Sequence, residues 1–173
     1  AGMIDCDSRA FTEAVDGGET TVHLMPGTEN VIAGWTCIAK TAGSNGPAGE
    51  DAAGQALIRE RHGVALSVCS DPTGRNRSRS RPESIYVRQP TNRMGVVWIV
   101  RNQFHQTMAR AAGEDAGDDA ATAPLTQVLG GEVPAFGVSR TAFDIQTLLR
   151  IADEFEFAPV LVGGDEAYKI IEL

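Results

Sequence analysis

Three histidines and three cysteines are the side chains of this chain best suited to acid–base, thiol or metal chemistry. A cysteine nucleophile works with a histidine base, and Cys37 or Cys69 with His105 would supply those residue types. The sequence around neither cysteine resembles a known protease, so thiol catalysis is not favoured. The cysteines are widely spaced, odd in number and without a CxxC pair. We therefore expect reduced thiols of a cytoplasmic protein, not a disulfide framework or a zinc knuckle.

The histidines are not grouped at the spacing of a metal site. His23 lies inside the apolar segment TTVHLM, His62 at the end of a predicted helix and His105 in the middle of a longer one. A strand or core position is the expected role of His23, and structural or solvated positions are expected for the other two. No metal ligand, catalytic residue or cofactor is therefore predicted.

Polar residues follow the predicted strands at their carboxyl ends. Arg140 closes one strand, where it could hold an anion. The alternative is a structural ion pair with a loop carboxylate, which we favour. Cys69 and Asp71 follow another strand, and a structural thiol and a turn cap are the expected roles. Gly163-Gly164 could present backbone N–H groups to a phosphate, but glycine pairs before helices are too common to indicate such a site.

Charge and hydropathy exclude several classes of partner. The chain has 173 residues and a formal net charge of -8, which argues against binding to nucleic acid or to an anionic membrane. The arginine-rich loop RNRSRSRPES is expected to be solvated, with contact to a polyanion as the alternative. No apolar run approaches the ~20 residues of a membrane span. The opening AGMIDCDSR has no basic and apolar regions typical of a signal peptide.

Hydrophobic patterning predicts an α/β protein with a single domain over residues 1–173. Flexible loops are predicted from composition at 42–54, 71–84 and 113–123. Strands are predicted at 20–25, 64–69, 133–138 and 158–162, and a second short apolar segment lies at 31–40. Helices are predicted at 9–17, 55–61, 92–112, 124–129, 141–157 and 165–173.

The sequence from Val133 to Val162 has the pattern of a right-handed parallel βαβ unit. Thr141 is the predicted N-cap of its helix, and the continuous apolar run at 158–162 is typical of a buried parallel strand. The predicted apolar face of this helix comprises Ile145, Leu148, Leu149, Ala152 and Phe155. In the helix at 92–112, the predicted apolar face comprises Val97, Val100, Phe104, Met108 and Ala111.

Three blocks of sequence resemble the imidazolonepropionase-like branch of the amidohydrolase superfamily. They are AVDGGETTVHLMPGTENVIAGW, PTNRMG and VPAFGVSRTAFDIQTLLRIADEFEFAPVLVGGDEAYKI, in the order of the family. No single block is diagnostic, but three in order span most of the chain. The resemblance implies a partial (β/α) barrel of the TIM type, built on parallel βαβ units, because a complete barrel needs about 250 residues.

The resemblance also implies a metal-dependent hydrolase whose ligands are missing. In the family, one strand ends His-x-His-Arg and the next ends in another histidine before glycine. The matching positions here read Gly137-Val138-Ser139-Arg140 and Val162-Gly163-Gly164. Other polar positions around the family's barrel mouth are retained, and they give weak candidate ligand-binding residues: Asn30, Arg93, Arg140 and Lys169, with Asp144 beside them.

We therefore expect a degenerate amidohydrolase-like domain, a pseudoenzyme that serves as a structural, binding or regulatory component. The alternative is a fragment or subunit of a metal-dependent, zinc-type hydrolase of C–N bonds in cyclic amides. A partial barrel leaves an open strand edge that needs cover. A homo-oligomer, or a partner that completes the barrel, is the expected way to provide it.

Overall fold

The structure is a computed structural model that describes residues 8–41, 57–74, 89–113 and 119–171. The predicted loop at 42–54 and the arginine-rich segment lie outside these residues. The helices are α1 (Arg9–Asp16), α2 (Asp71–Gly74), α3 (Arg93–Ala111), α4 (Asp119–Leu129) and α5 (Ala142–Phe155), with a 3₁₀ turn at Ala167–Lys169. The strands are β1 (Thr21–Leu24), β2 (Ile32–Lys40), β3 (Leu57–Ser67), β4 (Ala135–Ser139) and β5 (Pro159–Gly163).

The strands follow the order β1-β2-β3-β4-β5, so the architecture is mixed α/β as predicted. β1 pairs with β2 in antiparallel orientation, whereas β3, β4 and β5 pair in parallel. The parallel arrangement expected of a (β/α) barrel therefore holds for these last three strands and not for β1 and β2.

Contacts within the chain divide it into two compact units. The first comprises Ala1–Met25 and Trp35–His62, and the second comprises Pro26–Gly34 and Gly63–Leu173. The second unit contains the whole of β4 and β5 and helices α2 to α5. All four candidate ligand-binding residues lie in it.

The unit β4-α5-β5 agrees with the predicted strand, helix and strand. All five residues of β4 are buried. α5 starts with a capping box, in which Thr141 accepts a hydrogen bond from the Asp144 backbone N–H and Asp144 accepts one from that of Thr141. Its buried apolar residues are Ile145, Leu148, Ile151, Ala152 and Phe155. Ile151 replaces the predicted Leu149, which is partly exposed.

Two glycines allow close packing around β4. A Cβ atom on Gly137 would lie 2.3 Å from Cδ2 of Leu148 in α5. A Cβ atom on Gly63 would lie 2.6 Å from the Pro134 carbonyl oxygen and 2.5 Å from the Phe136 ring. Both distances are far below van der Waals contact, so β4 approaches α5 and β3 more closely than any side chain at these positions would permit.

α3 begins where the sequence predicts, because Asn92 accepts a hydrogen bond from the Gly95 backbone N–H at 2.8 Å. Its buried face, however, is rotated relative to the predicted one. Val100 and Phe104 are buried as expected, whereas Met108 and Ala111 are exposed. The buried residues are Val96, Val100, Phe104 and Thr107. The helix carries apolar residues on more than one side, so periodicity alone did not identify the core face.

Four predicted elements differ from the structure. The predicted loop 71–84 begins with helix α2 (Asp71–Gly74). The helix predicted at 55–61 is wrong, since residues from Leu57 onwards form β3 and strand pairing overrides local propensity there. The helix predicted at 165–173 is reduced to the 3₁₀ turn. The Glu166 carboxylate accepts a hydrogen bond from the Ala142 backbone N–H at 3.0 Å, which ties this segment to the start of α5. α4 begins at Asp119, inside the predicted loop 113–123.

β5 is less buried than its apolar sequence predicts. Val160 is 42% exposed and Leu161 is 40% exposed. Neighbouring residues of a strand point to opposite faces, so both faces of β5 are partly open. β5 is the last strand in the order, and within the described residues only β4 pairs with it. Its incomplete burial follows from that edge position.

Candidate functional site

The carboxyl ends of β3, β4 and β5 lie at one edge of the sheet because these strands are parallel. In (β/α) barrels this edge carries the active site. Cys69 and Asp71 follow β3, Arg140 follows β4, and Gly163 ends β5. The polar strand-end residues identified in the sequence are therefore brought to one edge.

An ion pair joins the ends of β3 and β4. Arg140 donates from Nη2 to Oδ2 of Asp71 at 3.0 Å, and Thr28 donates from Oγ1 to the same oxygen at 2.7 Å. The structural ion pair with a loop carboxylate, favoured from the sequence for Arg140, is therefore present. One carboxylate holds together the ends of two strands and the turn that contains Thr28.

The local charges strengthen this contact. Burial alone would raise the pKa of the Asp71 carboxyl, but hydrogen bonds from Thr28 and Arg140, the charge of Arg140 and a contact with Cys69 outweigh it, so the pKa is lowered. The hydrogen bond to Asp71 and the charge of its carboxylate raise the pKa of the Arg140 guanidinium. Both groups are held in their ionised forms.

Cys69 lies in the protein interior beside this ion pair and is buried. Its Sγ is 3.3 Å from Oγ of Ser67. Ser139, also buried, donates to the Gly137 carbonyl at 3.2 Å. These contacts agree with the structural role expected for Cys69.

This group of residues does not fit a divalent metal ion. A ligand set for zinc needs several histidine, cysteine or carboxylate donors that converge. The Asp71 carboxylate is already paired with the positive charge of Arg140. No three His, Cys, Asp or Glu side chains of the described residues are placed to hold a metal ion. A cation at the strand ends would have to displace a guanidinium group.

The position matched to a histidine in the family is also closed. The Cβ direction of Gly137 points at Leu148 of α5, which is buried. A histidine at this position would therefore point into the contact between β4 and α5. A histidine ligand at this position would require different packing as well as different chemistry.

Two of the remaining candidate residues, Arg93 and Lys169, are held by separate carboxylates. Nη2 of Arg93 lies 3.5 Å from Oδ1 of Asp144, which is buried. Lys169 donates to Oε1 of Glu166 at 2.6 Å. Asn30 is exposed in the turn before β2. Within the described residues, no contact joins Asn30, Arg93, Arg140 and Lys169 into one ligand site.

Two of the three histidines, His23 and His105, are exposed, so the strand position expected for His23 is present but a core position is not. His23 of β1 and His62 of β3 lie edge to face, with ring centroids 5.2 Å apart. Burial and the neighbouring His62 lower the pKa of His23. His105 of α3 is exposed, 3.9 Å from the carboxylate of Glu154. The pairing of His23 with His62 was missed because the sequence predicted His62 at the end of a helix.

A groove of about 500 Å³ beside α3 was also missed. Residues of α3 line it from Arg93 to His105, and Phe143 of α5 forms its other wall. A second row of regularly spaced residues on α3 is visible in the sequence. It was not recognised because Met108 had been assigned to the predicted buried face.

No helix of the described residues is both long enough and apolar enough to cross a bilayer.

Comparison with known proteins gives one informative similarity. The crystal structure of an amidohydrolase from Thermotoga maritima MSB8 matches with a TM-score of 0.75 and 25% sequence identity. The match covers 96% of this chain and 42% of that chain. No protein-family model matches the sequence, and no curated protein matches it significantly.

This similarity supports an amidohydrolase-like fold for the chain, consistent with the partial barrel predicted from the three sequence blocks. The chain spans about two-fifths of the length of its structural neighbour. The fold is therefore the shared property, and the activity of the longer protein does not transfer with it.

Proposed function

We propose that this chain is a degenerate amidohydrolase-like domain that acts as a structural, binding or regulatory component without a metal site. The observation that carries the proposal is the ion pair between Asp71 and Arg140. The carboxylate at the strand ends is used to connect β3 to β4, and a guanidinium group supplies the positive charge beside it.

Packing around β4 supports the same proposal. A hydrolase of this kind would polarise a carbonyl and activate a water molecule with a bound metal ion. Ser139 and Gly137 are both buried, and the Ser139 hydroxyl is used in a hydrogen bond to the neighbouring backbone. These positions stabilise β4 and offer no donor to a ligand.

The alternative is a fragment or subunit of a metal-dependent hydrolase of the imidazolonepropionase-like branch, acting on C–N bonds of cyclic amides. The share of the amidohydrolase neighbour that this chain leaves unmatched favours it. Zinc ligands and the catalytic carboxylate would then come from outside these 173 residues.

Under either proposal, another strand or chain is expected to pack beside β5. The two partly exposed apolar residues, Val160 and Leu161, mark an edge that another strand or chain would cover. We propose a second copy of this chain, or a partner that completes the barrel, as that cover. Nucleic acid is not proposed, because the net charge of -8 would repel it.

The metal content of the purified chain, grown with added zinc and measured by elemental mass spectrometry, tests the proposal. Asp71→Asn and Arg140→Gln are measured in parallel, since the first removes the carboxylate and the second frees it. We expect negligible zinc, iron and manganese in the unsubstituted protein and in Asp71→Asn. About one metal ion per chain, lost in Asp71→Asn, would contradict the metal-free proposal and support the hydrolase.

A further inference from the structure

Helix α3 has a buried face and a second face that is mostly exposed, although Arg101 and His105 on the second face contact Glu154 and Phe155 of α5. The buried face contains Val96, Val100, Phe104 and Thr107. A second row of residues recurs along the helix at steps of four, three, four and three. We call this row the outer seam, and it comprises Met94, Trp98, Arg101, His105 and Met108.

The outer seam is exposed although much of it is apolar. Met94 is 82% exposed, Trp98 59% and Met108 49%. Phe143, at the start of α5, lies beside the seam and is also exposed. Exposed tryptophan, methionine, phenylalanine and arginine are the residue types enriched in protein interfaces.

The spacing of the seam indicates the form of the occupant. Alternating steps of four and three give the average repeat of 3.5 residues by which one α-helix packs along another. From Met94 to Met108 the seam rises ~21 Å along the helix, which a partner helix of about four turns would match. Amphipathic helices bind in apolar grooves, and the seam residues from Met94 to His105 line the groove beside Phe143.

The charges of the groove indicate the chemistry of the occupant. The basic residues that line it are Arg93, Arg101 and His105. Arg93 is paired with Asp144, and Arg101 and His105 both face Glu154. Arg101 binds Glu154 through Nε at 2.7 Å, which leaves its terminal nitrogens without a partner among the described residues. A carboxylate on the occupant would meet these donors.

A second copy of α3 would fit poorly. Arg101 is the central residue of the seam, so symmetrical pairing of two seams, parallel or antiparallel, brings Arg101 against Arg101. Like charges at facing positions are unfavourable. The occupant is therefore a helix of different sequence, with an acidic residue near its middle.

We infer that the outer seam of α3 is the docking site for an amphipathic α-helix of a partner protein, with apolar residues toward its ends and a carboxylate at its centre. The helix lies along Met94, Trp98 and Met108, and its carboxylate is bound by Arg101. This inference does not depend on the metal-free proposal, because the strand-end residues take no part in it.

Synthetic helical peptides of about 18 residues, labelled with a fluorophore, test the inference by fluorescence anisotropy with the full chain. One peptide has leucine on one face and glutamate at its centre, a second has lysine at the centre, and a third has the same composition with the face scrambled. We expect the glutamate peptide to bind at least about tenfold more tightly than either of the others.

Three variants locate the binding. Trp98→Ala should weaken binding of the glutamate peptide about tenfold or more, and Arg101→Gln should remove the preference for glutamate over lysine. Tyr168→Ala removes an exposed aromatic side chain elsewhere and should bind normally. Circular dichroism confirms that each variant is folded, and all three altered side chains are exposed.

Several outcomes would overturn the inference. Equal binding of the three peptides, no binding, or binding that Trp98→Ala leaves unchanged would each exclude docking on the outer seam. Self-association of the unsubstituted chain that Trp98→Ala abolishes would show instead that a second copy occupies it. None of these outcomes bears on metal content, so the two proposals fail separately.

Discussion

The Asp71 carboxylate is bonded differently from a carboxylate that binds a metal ion. A metal ligand must keep its lone pairs for a cation, whereas here Oδ2 of Asp71 accepts from both Arg140 and Thr28. The two hydrogen bonds stabilise the ends of β3 and β4 instead of a reaction centre. At the residue scale, the features that oppose metal binding are thus the features that hold the strands together.

Acid should weaken the Asp71 contact. The lowered pKa of Asp71 means that its stabilising contribution is complete above the ordinary aspartate pKa of about 3.9 and is lost as the pH falls through the folded value. We expect the difference in melting temperature between the unsubstituted protein and Asp71→Asn to be largest near neutral pH and to shrink in acid. Thermal melts measured from pH 7 downwards check this.

Asp153→Asn is the matched control for that series. Asp153 is exposed on α5 and has no ion pair among the described residues. Its substitution should leave the acid dependence of the melting temperature unchanged. Parallel acid profiles for Asp71→Asn and the unsubstituted protein would contradict the role given to Asp71.

Gly63→Ala should destabilise the second unit. The added Cβ would meet the Pro134 carbonyl oxygen at 2.6 Å, and a backbone atom cannot move aside as a flexible side chain can. We expect a loss of about 1–3 kcal/mol in the free energy of unfolding. Urea denaturation measures it, with Gly27→Ala as the control because no atom lies within 4 Å of the Cβ position there. Equal stability of the two variants would contradict this packing argument.

At the scale of elements, the start of α5 is fixed by local sequence. Thr141→Ala removes the side chain that accepts from the Asp144 backbone N–H. We expect a loss of about 1 kcal/mol in the free energy of unfolding, as for other N-cap substitutions. Ser8→Ala is the control, since Ser8 occupies the same position in α1 but makes no side-chain capping bond. A similar loss in both variants would show that the capping bond has no special effect.

Local signals explain which elements were predicted correctly. Thr141 and Asn92 mark the starts of α5 and α3 because capping depends on residues only three positions apart. The helix predicted at 55–61 failed because β3 is defined by pairing with residues far away in sequence. Ile151 of α5 is buried although it was left out of the predicted core face, and Met108 of α3 is exposed although it was included in one. An apolar residue can lie on either side of a helix that is apolar on more than one face.

The candidate site was predictable only in part. The sequence placed Arg140 and Asp71 at strand ends, and parallel pairing of β3 with β4 brings them to the same edge. It contained no local signal for Thr28 as the third member of the group. The position of Gly137 against Leu148 also required the structure, since a sequence match does not tell which face of a strand a residue occupies.

At the scale of the whole molecule, the first and last strands of the sheet, β1 and β5, differ in how their residues are buried. β1 alternates between exposed and half-buried residues, as a strand with one solvated face does. β5 instead has apolar residues partly exposed on both faces. β5 is therefore the end strand of the sheet whose apolar residues are the more open to solvent.

Substitution on β5 should therefore change the assembly state. In a sample that contains only this chain, a second copy is the available cover for the edge. We expect sedimentation velocity to show a species larger than the 18.3 kDa chain, and Val160→Lys to return it to monomer because an inserted charge opposes burial of the strand. Val15→Lys is the matched control, since Val15 on α1 is also a valine with 42% exposure. A monomeric unsubstituted protein, or equal behaviour of both lysine variants, would exclude self-association through β5.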